Sequence, residues 1–219
     1  MTISSRTQFL PLSLPFIDFS VPNLKPETPE WDSVRSQVRK ALEEYGCFDA
    51  FFDGASKELR KALFEASEEV FSFTFGDQIE CKQECSVVCG KAIAQLDVMV
   101  RTMIMESFGL EKYELTILIT EEELGLDPHI GRHFLTILCQ NDVVDGLEIK
   151  TKDGEEWIKA KPSQDSSYLV IAGASLHVLL NGEVFPPIHR VVITGDKDRH
   201  VAGLFLRPKE GLIINAPER

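Results

Sequence analysis

The chain lacks a long apolar run. No stretch of its 219 residues approaches the roughly 20 consecutive apolar residues that a membrane-spanning helix needs. It is short of positive charge: 23 Lys and Arg stand against 35 Asp and Glu, for a formal charge of −12. No basic cluster offsets this, so nucleic acid and anionic membrane are excluded as expected partners. Met1 to Leu14 carries one arginine and lacks the basic, then apolar, then small pattern of a secretory signal. A cytoplasmic protein is the expectation. The five cysteines are odd in number and, without a secretory signal, do not suggest a disulfide framework. No internal repeat or low-complexity tract occurs. What remains is an ordinary globular composition, 43% hydrophobic and 26% charged, long enough for one sizeable core.

The first half reads as helices with short strands. Pro15 to Phe19 suits a strand, and Pro22 to Pro29 a loop. Trp31, Val34, Val38, Leu42 and Tyr45 recur at helical spacing, with Gly46 as a stop. Cys47 to Phe52 suits a buried strand. Ser56 can cap a second helix that carries Leu59, Leu63, Ala66, Val70 and Phe73. A third, long helix carries Ile93, Leu96, Val100, Met103 and Phe108, and could start at Ile79. Cys81, Cys85 and Cys89 would line one helix face; three thiolates can hold a soft metal, but the plainer reading is a stripe of small residues.

From Leu115 the pattern turns to short β-rich runs: 115–119, 134–138, 146–150, 156–160, 168–172, 190–194 and 201–207. Asp153-Gly154 predicts a tight type I′ hairpin, with φ > 0 at both residues. Many short strands separated by turns suggest a jelly roll or barrel.

Two of the five histidines stand out. His129, in Asp127-Pro128-His129-Ile130-Gly131-Arg132-His133, precedes an apolar strand. His189, after Pro186-Pro187-Ile188, opens a late strand, and Arg199 follows ten residues later. Imidazoles from different strands can bind iron, and a guanidinium at the mouth can take a carboxylate in bidentate fashion. Of the other three, His177 and His200 read as structural.

In its later part the chain resembles the plant-type iron(II)/2-oxoglutarate-dependent dioxygenases. Asp145-Gly146-Leu147-Glu148-Ile149-Lys150, Trp157-Ile158-Lys159, Pro162-Ser163, Asn181-Gly182 and His189-Arg190-Val191 fall in that family's order and spacing. Pro15-Phe16-Ile17-Asp18, the run 41–48 and the run 103–109 resemble its N-terminal part. The wording is most similar to the clade holding the glucosinolate side-chain alkenyl- and hydroxyalkyl-forming enzymes and deoxypodophyllotoxin synthase. The resemblance implies an α+β fold: a double-stranded β-helix (jelly roll) over residues 114–219, supported by a helical region over 1–113. It implies oxidation of a small specialised metabolite, with Fe(II) and 2-oxoglutarate as cofactors and ascorbate in support. Carried over, His129 and His189 are metal ligands, and Arg199 clamps the far carboxylate of 2-oxoglutarate.

The departures are as specific. The aspartate of the family's H-x-D is Gly131, the serine of its R-x-S is Val201, and its Gly-Asp reads Gly173-Ala174. The stretches after Phe73 and after Tyr113 are short, which implies a truncated chain with some core strands missing, unless Leu115 to Ile119 repairs the sheet. The expectation is therefore impaired or lost activity. Three alternatives stay open. Asp127, two residues before His129, could substitute as a ligand from an extended segment. Chloride could take the vacated place at Gly131, as in a halogenase. His129 and His133, spaced i, i+4, could hold zinc on a helix capped by Asp127 and Pro128.

Overall fold

Thr28 opens the first helix, α1 (Pro29–Glu44). Its hydroxyl accepts the Trp31 N–H at 3.3 Å, and Pro29 sits where its missing N–H costs nothing. Glu30 and Asp32 face the positive end of the helix dipole. Trp31, Val34, Val38, Ala41 and Leu42 form the buried stripe that the spacing predicts. The helix ends at Gly46, which takes φ +70°; a Cβ there would lie 2.0 Å from the Phe185 carbonyl oxygen. Both the turn and the close approach demand glycine.

The computed structural model describes residues 13–72, 83–111, 117–120, 127–140, 146–163, 166–192 and 199–216. Two more long helices follow, α2 (Lys57–Ser72) and α3 (Gln83–Ser107). Ser56 caps α2 by accepting the Leu59 N–H at 3.3 Å. Ile79 and Cys81 lie outside the described residues. Cys89 is buried beside Ala55 and Ala92, as a small packed residue.

The strands are β1 (Phe16–Asp18), β2 (Cys47–Phe51), β3 (Ile117–Thr120), β4 (Leu135–Gln140), β5 (Leu147–Lys150), β6 (Trp157–Lys159), β7 (Ser167–Ala172), β8 (His189–Val191) and β9 (Val201–Pro208). They form a six-stranded sheet, β1-β2-β7-β4-β9-β3, and a three-stranded sheet, β6-β5-β8. Pairing is antiparallel except between β1 and β2.

Strand alternation divides the large sheet into two buried faces. Tyr168, Val170 and Ala172 of β7, with Leu135, Ile137 and Cys139 of β4, meet Val38, Leu42, Leu96, Val100 and Met103 of the helices. Leu169, Ile171, Leu138 and Phe205 face the other way, onto Leu147 and Ile149 of the small sheet. The space between the two sheets is where a jelly roll holds its ligands. The fold is α+β, a jelly roll with helices on one face, as the resemblance implies.

Three details refine the sequence reading. The short stretches at 73–82, 112–116 and 121–126 lie outside the described residues, but β3 does occupy the sheet edge next to β9. Among the turn residues Asp153 and Gly154 only Gly154 takes positive φ, +77°. The Gly154 N–H donates to the Thr151 carbonyl at 2.9 Å and Thr151 pairs with Glu156. The hairpin is therefore wider than a type I′ turn, because the Thr151 and Asp153 side chains bond within the loop. Finally, a short helix, α4 (Ala174–Leu179), follows Gly173; six residues are too few for a periodic signal.

Candidate active site

His129 and His189 face each other across the two arms of a β-bridge. The His129 N–H donates to the His189 carbonyl at 3.0 Å, and the His189 N–H donates back at 2.9 Å. Their ring centroids are 4.4 Å apart. Each ring is anchored through Nδ1, His129 on the Asp127 carbonyl at 2.8 Å and His189 on the Pro187 carbonyl at 3.2 Å. A carbonyl only accepts, so each Nδ1 carries a proton and Nε2 is the nitrogen of each ring left for a metal. This is the anchoring that metal-binding histidines use. Burial holds His189 down to about 4, against the Pro187 hydrogen bond, which raises it. At neutral pH it is a neutral nitrogen donor.

The main chain after His129 is laced to the start of α4. Ala174 N–H donates to the Gly131 carbonyl at 2.8 Å, Ser175 N–H to the His133 carbonyl at 3.2 Å, and Gly173 N–H to the Phe134 carbonyl at 3.0 Å. The Ser175 hydroxyl donates to the Arg132 carbonyl. A Cβ on Gly173 would lie 2.0 Å from the His133 carbonyl oxygen. Glycine at 173 therefore permits the close approach of the two segments.

Gly131 is closely neighboured by two imidazoles. A Cβ there would lie 3.2 Å from His133 Nδ1 and 3.7 Å from His189 Cε1. His133 is buried and rests its ring on Phe205 of β9, with centroids 5.0 Å apart. Burial, and then the charge of His129, holds His133 below the usual imidazole range. Residues 127–134 contain the bridge and bends but no helix, so the helical zinc arrangement of His129 and His133 is excluded. Asp127 is exposed, and its main-chain oxygen is what meets His129. Among the described residues, no group of three or more His, Cys, Asp or Glu is set to hold a metal ion.

Arg199 precedes β9. Its Nη2 donates to Gln140 Oε1 at 2.7 Å, while its Nε is buried with no hydrogen-bond partner among the described residues. Burial lowers its pKa below the usual guanidinium value. A Cβ on Gly146 would lie 3.0 Å from Arg199 Cδ, so the glycine makes room for the side chain. Val201 begins β9 opposite Gln140. His177 is structural, with Nδ1 donating to the Val184 carbonyl at 2.7 Å.

Sequence reasoning missed Gln140 and the placement of His133. Gln140 had a readable signal. It continues the period of Thr136 and Leu138, so a polar residue falls on an inward position of a buried strand.

Residues 111–208 match the 2OG-Fe(II) oxygenase superfamily, and residues 14–87 match the N-terminal region described as non-haem dioxygenase in morphine synthesis. A probable 2-oxoglutarate-dependent dioxygenase, AOP1.2 of Arabidopsis thaliana, is 40% identical over 270 residues, covering 94% of this chain and 83% of that one. The chain belongs to the 2OG-Fe(II) oxygenase superfamily. Another Arabidopsis thaliana relative, described as a probable inactive 2-oxoglutarate-dependent dioxygenase AOP2, is 26% identical and covers 94% of this chain and 88% of its own length. Among solved structures, the rice dioxygenase for auxin oxidation matches with a TM-score of 0.74 at 18% identity, over 94% of this chain and 86% of that one. That likeness is one of fold.

The superfamily works with Fe(II) and 2-oxoglutarate. In this chain two imidazoles anchored through Nδ1 suit Fe(II), and the buried Nε of Arg199 suits a carboxylate. The third protein ligand is where the fit fails, because Gly131 offers no donor atom. Among the described residues no helix is long and apolar enough to cross a membrane.

Proposed function

We propose that this chain binds Fe(II) through His129 and His189 and 2-oxoglutarate through Arg199, and that its oxidation of a small specialised metabolite is impaired or lost. In the assignment that goes with this, residues 1–113 are the helical support and 114–219 carry the site. The observation that carries the reading is the pair of Nδ1-anchored imidazoles beside a glycine. When bound, Fe(II) and 2-oxoglutarate together supply oxidation by O₂, with 2-oxoglutarate ending as succinate and CO₂.

The residues of the chain divide the work. The carbonyls of Asp127 and Pro187 hold the Nδ1 side of His129 and His189, which leaves Nε2 of each ring as the nitrogen that would face a metal. Gln140 holds one arm of Arg199 and leaves Nε for the far carboxylate of the cosubstrate. In this half-dry setting a charge-assisted bond is stronger than in water. Val201 adds no hydroxyl to that clamp. Gly131 withholds the carboxylate that would complete the set of ligands and balance the metal's charge.

The 270-residue alignment with AOP1.2 is longer than the 219-residue chain, so the relative carries segments that have no counterpart here. This supports the reading of a shortened chain. Two other readings have less support. The exposed position of Asp127 counts against a substitute carboxylate, and the His133 ring beside Gly131 takes up room that a chloride would need.

The test is anaerobic binding of Fe(II) and 2-oxoglutarate to the purified chain, followed by succinate formation in air. Metal-dependent 2-oxoglutarate binding that is lost in Arg199→Ala, with succinate formed far more slowly than by an active relative, is the expected result. Rapid, stoichiometric conversion of 2-oxoglutarate would overturn the reading of impaired turnover.

A further inference from the structure

Arg60 is a buried cation that lacks an anion. It lies near the start of α2, on the same helix face as the buried Phe64, and only 4% of its surface is exposed. Its Nη2 donates to the Ser167 carbonyl at 2.9 Å, and its guanidinium carbon sits 4.5 Å from the centre of the Tyr168 ring. Nη1 is buried with no hydrogen-bond partner, and so is the Tyr168 hydroxyl. Among the described residues no carboxylate forms an ion pair with Arg60. Tyr168 is 1% exposed. Burial raises its pKa, against the neighbouring Arg60 charge, which lowers it, so the hydroxyl keeps its proton and can donate. Two buried donors, one of them charged, therefore meet between α2 and β7. The side chains packed where α2 meets α3 are small, with Ala55, Cys89 and Ala92 in one cluster.

A buried charge is costly unless it is paired. The Tyr168 ring and the Ser167 carbonyl offset only part of that cost, because neither carries a negative charge. What would complete both orphaned groups is an acceptor, and what would balance the guanidinium is an anion. We propose that Arg60 Nη1 and the Tyr168 hydroxyl hold a small monovalent anion of the halide class between α2 and β7. A carboxylate or phosphate would bring further oxygens that need donors of their own, and two donors suit a single spherical acceptor. Tyr168 faces the helices, so this site lies on the opposite face of the large sheet from the space between the sheets. It does not depend on the assignment of His129, His189 and Arg199. A bound anion would fasten α2 to the sheet.

Chloride is the probe, supplied to the full chain as its sodium salt and compared with sodium gluconate at equal ionic strength. A chelator is present throughout, so that no metal contributes. The expected result is a Tm higher in chloride by about 2 °C or more, rising to saturation. Crystals soaked in bromide should show an anomalous peak beside Arg60 Nη1. Arg60→Met keeps the apolar stem and Tyr168→Phe keeps the ring; each should remove the difference between the two salts, with circular dichroism checking the fold. Arg199→Ala should retain it. An equal Tm in the two salts for the wild type would overturn the proposal. So would a chloride effect that persists undiminished in a folded Arg60→Met or Tyr168→Phe, or bromide-soaked crystals with no peak at Arg60.

Discussion

His129 and His189 exchange both main-chain hydrogen bonds, at 3.0 and 2.9 Å, and bring their rings to 4.4 Å. Sixty residues of chain separate them, and one bridge removes that distance. The bridge, not the side chains, sets the ring spacing. His189→Ala should thus leave the fold intact by circular dichroism while lowering Fe(II) affinity by more than the roughly 10–100-fold typical of losing an outer partner. Calorimetry under nitrogen measures this. An unchanged affinity would remove His189 from the metal site.

Gln140 should act as a positioning residue for Arg199. Its Oε1 accepts from Arg199 Nη2 at 2.7 Å from an inward position on β4. A hydrogen bond to a charged group contributes about 1.5–3 kcal/mol. Gln140→Leu should raise the dissociation constant of 2-oxoglutarate roughly tenfold while leaving Fe(II) affinity unchanged. A parallel loss of metal binding would point instead to general disruption.

Gly173 should be intolerant of alanine. The added Cβ would fall 2.0 Å from the His133 carbonyl oxygen, a backbone atom that cannot swing away. Overpacking of this kind costs about 1–3 kcal/mol or more. Gly173→Ala should lower Tm by about 5 °C or more in a thermal melt. It should also weaken metal binding, because α4 laces the segment that carries His129. An unaltered Tm would show that the two segments can separate freely.

Cys47 should be inert in the native protein. It is buried on β2, and burial pushes its thiol well above the ordinary range, so the reactive thiolate is not formed. Alkylation with iodoacetamide at pH 8, read by peptide mass spectrometry, should leave Cys47 unmodified until denaturant is added. Rapid native labelling would contradict the burial.

The helices and strands were legible in the sequence where their period is strong. The stripe from Trp31 to Leu42 is written in apolar spacing and the apolar runs at 134–138 and 168–172 in composition, and the structure buries those residues. The resemblance to the family's ordered motifs, rather than any period, marked His129, His189 and Arg199 as candidates. The turn at Asp153 was misread because side-chain bonds from Thr151 and Asp153 widen it, and such bonds have no periodicity. His133 was visible only as a helical partner of His129. Its true neighbours, Phe205, Ser175 and His189, lie far away in the chain.

By itself, the sequence carried the helical and strand patterns, and its resemblance to a family implied the α+β layout and the candidate residues His129, His189, Arg199 and Gly131. The patterns follow from local spacing and residue type; the candidate roles follow from the resemblance. Only the tertiary structure decided that the two Nδ1 atoms are anchored on backbone carbonyls, that Gln140 holds Arg199, and that the His133 imidazole packs against Gly131. Those facts depend on which strands pair and in what register, and register is a property of the packed sheets rather than of any short segment.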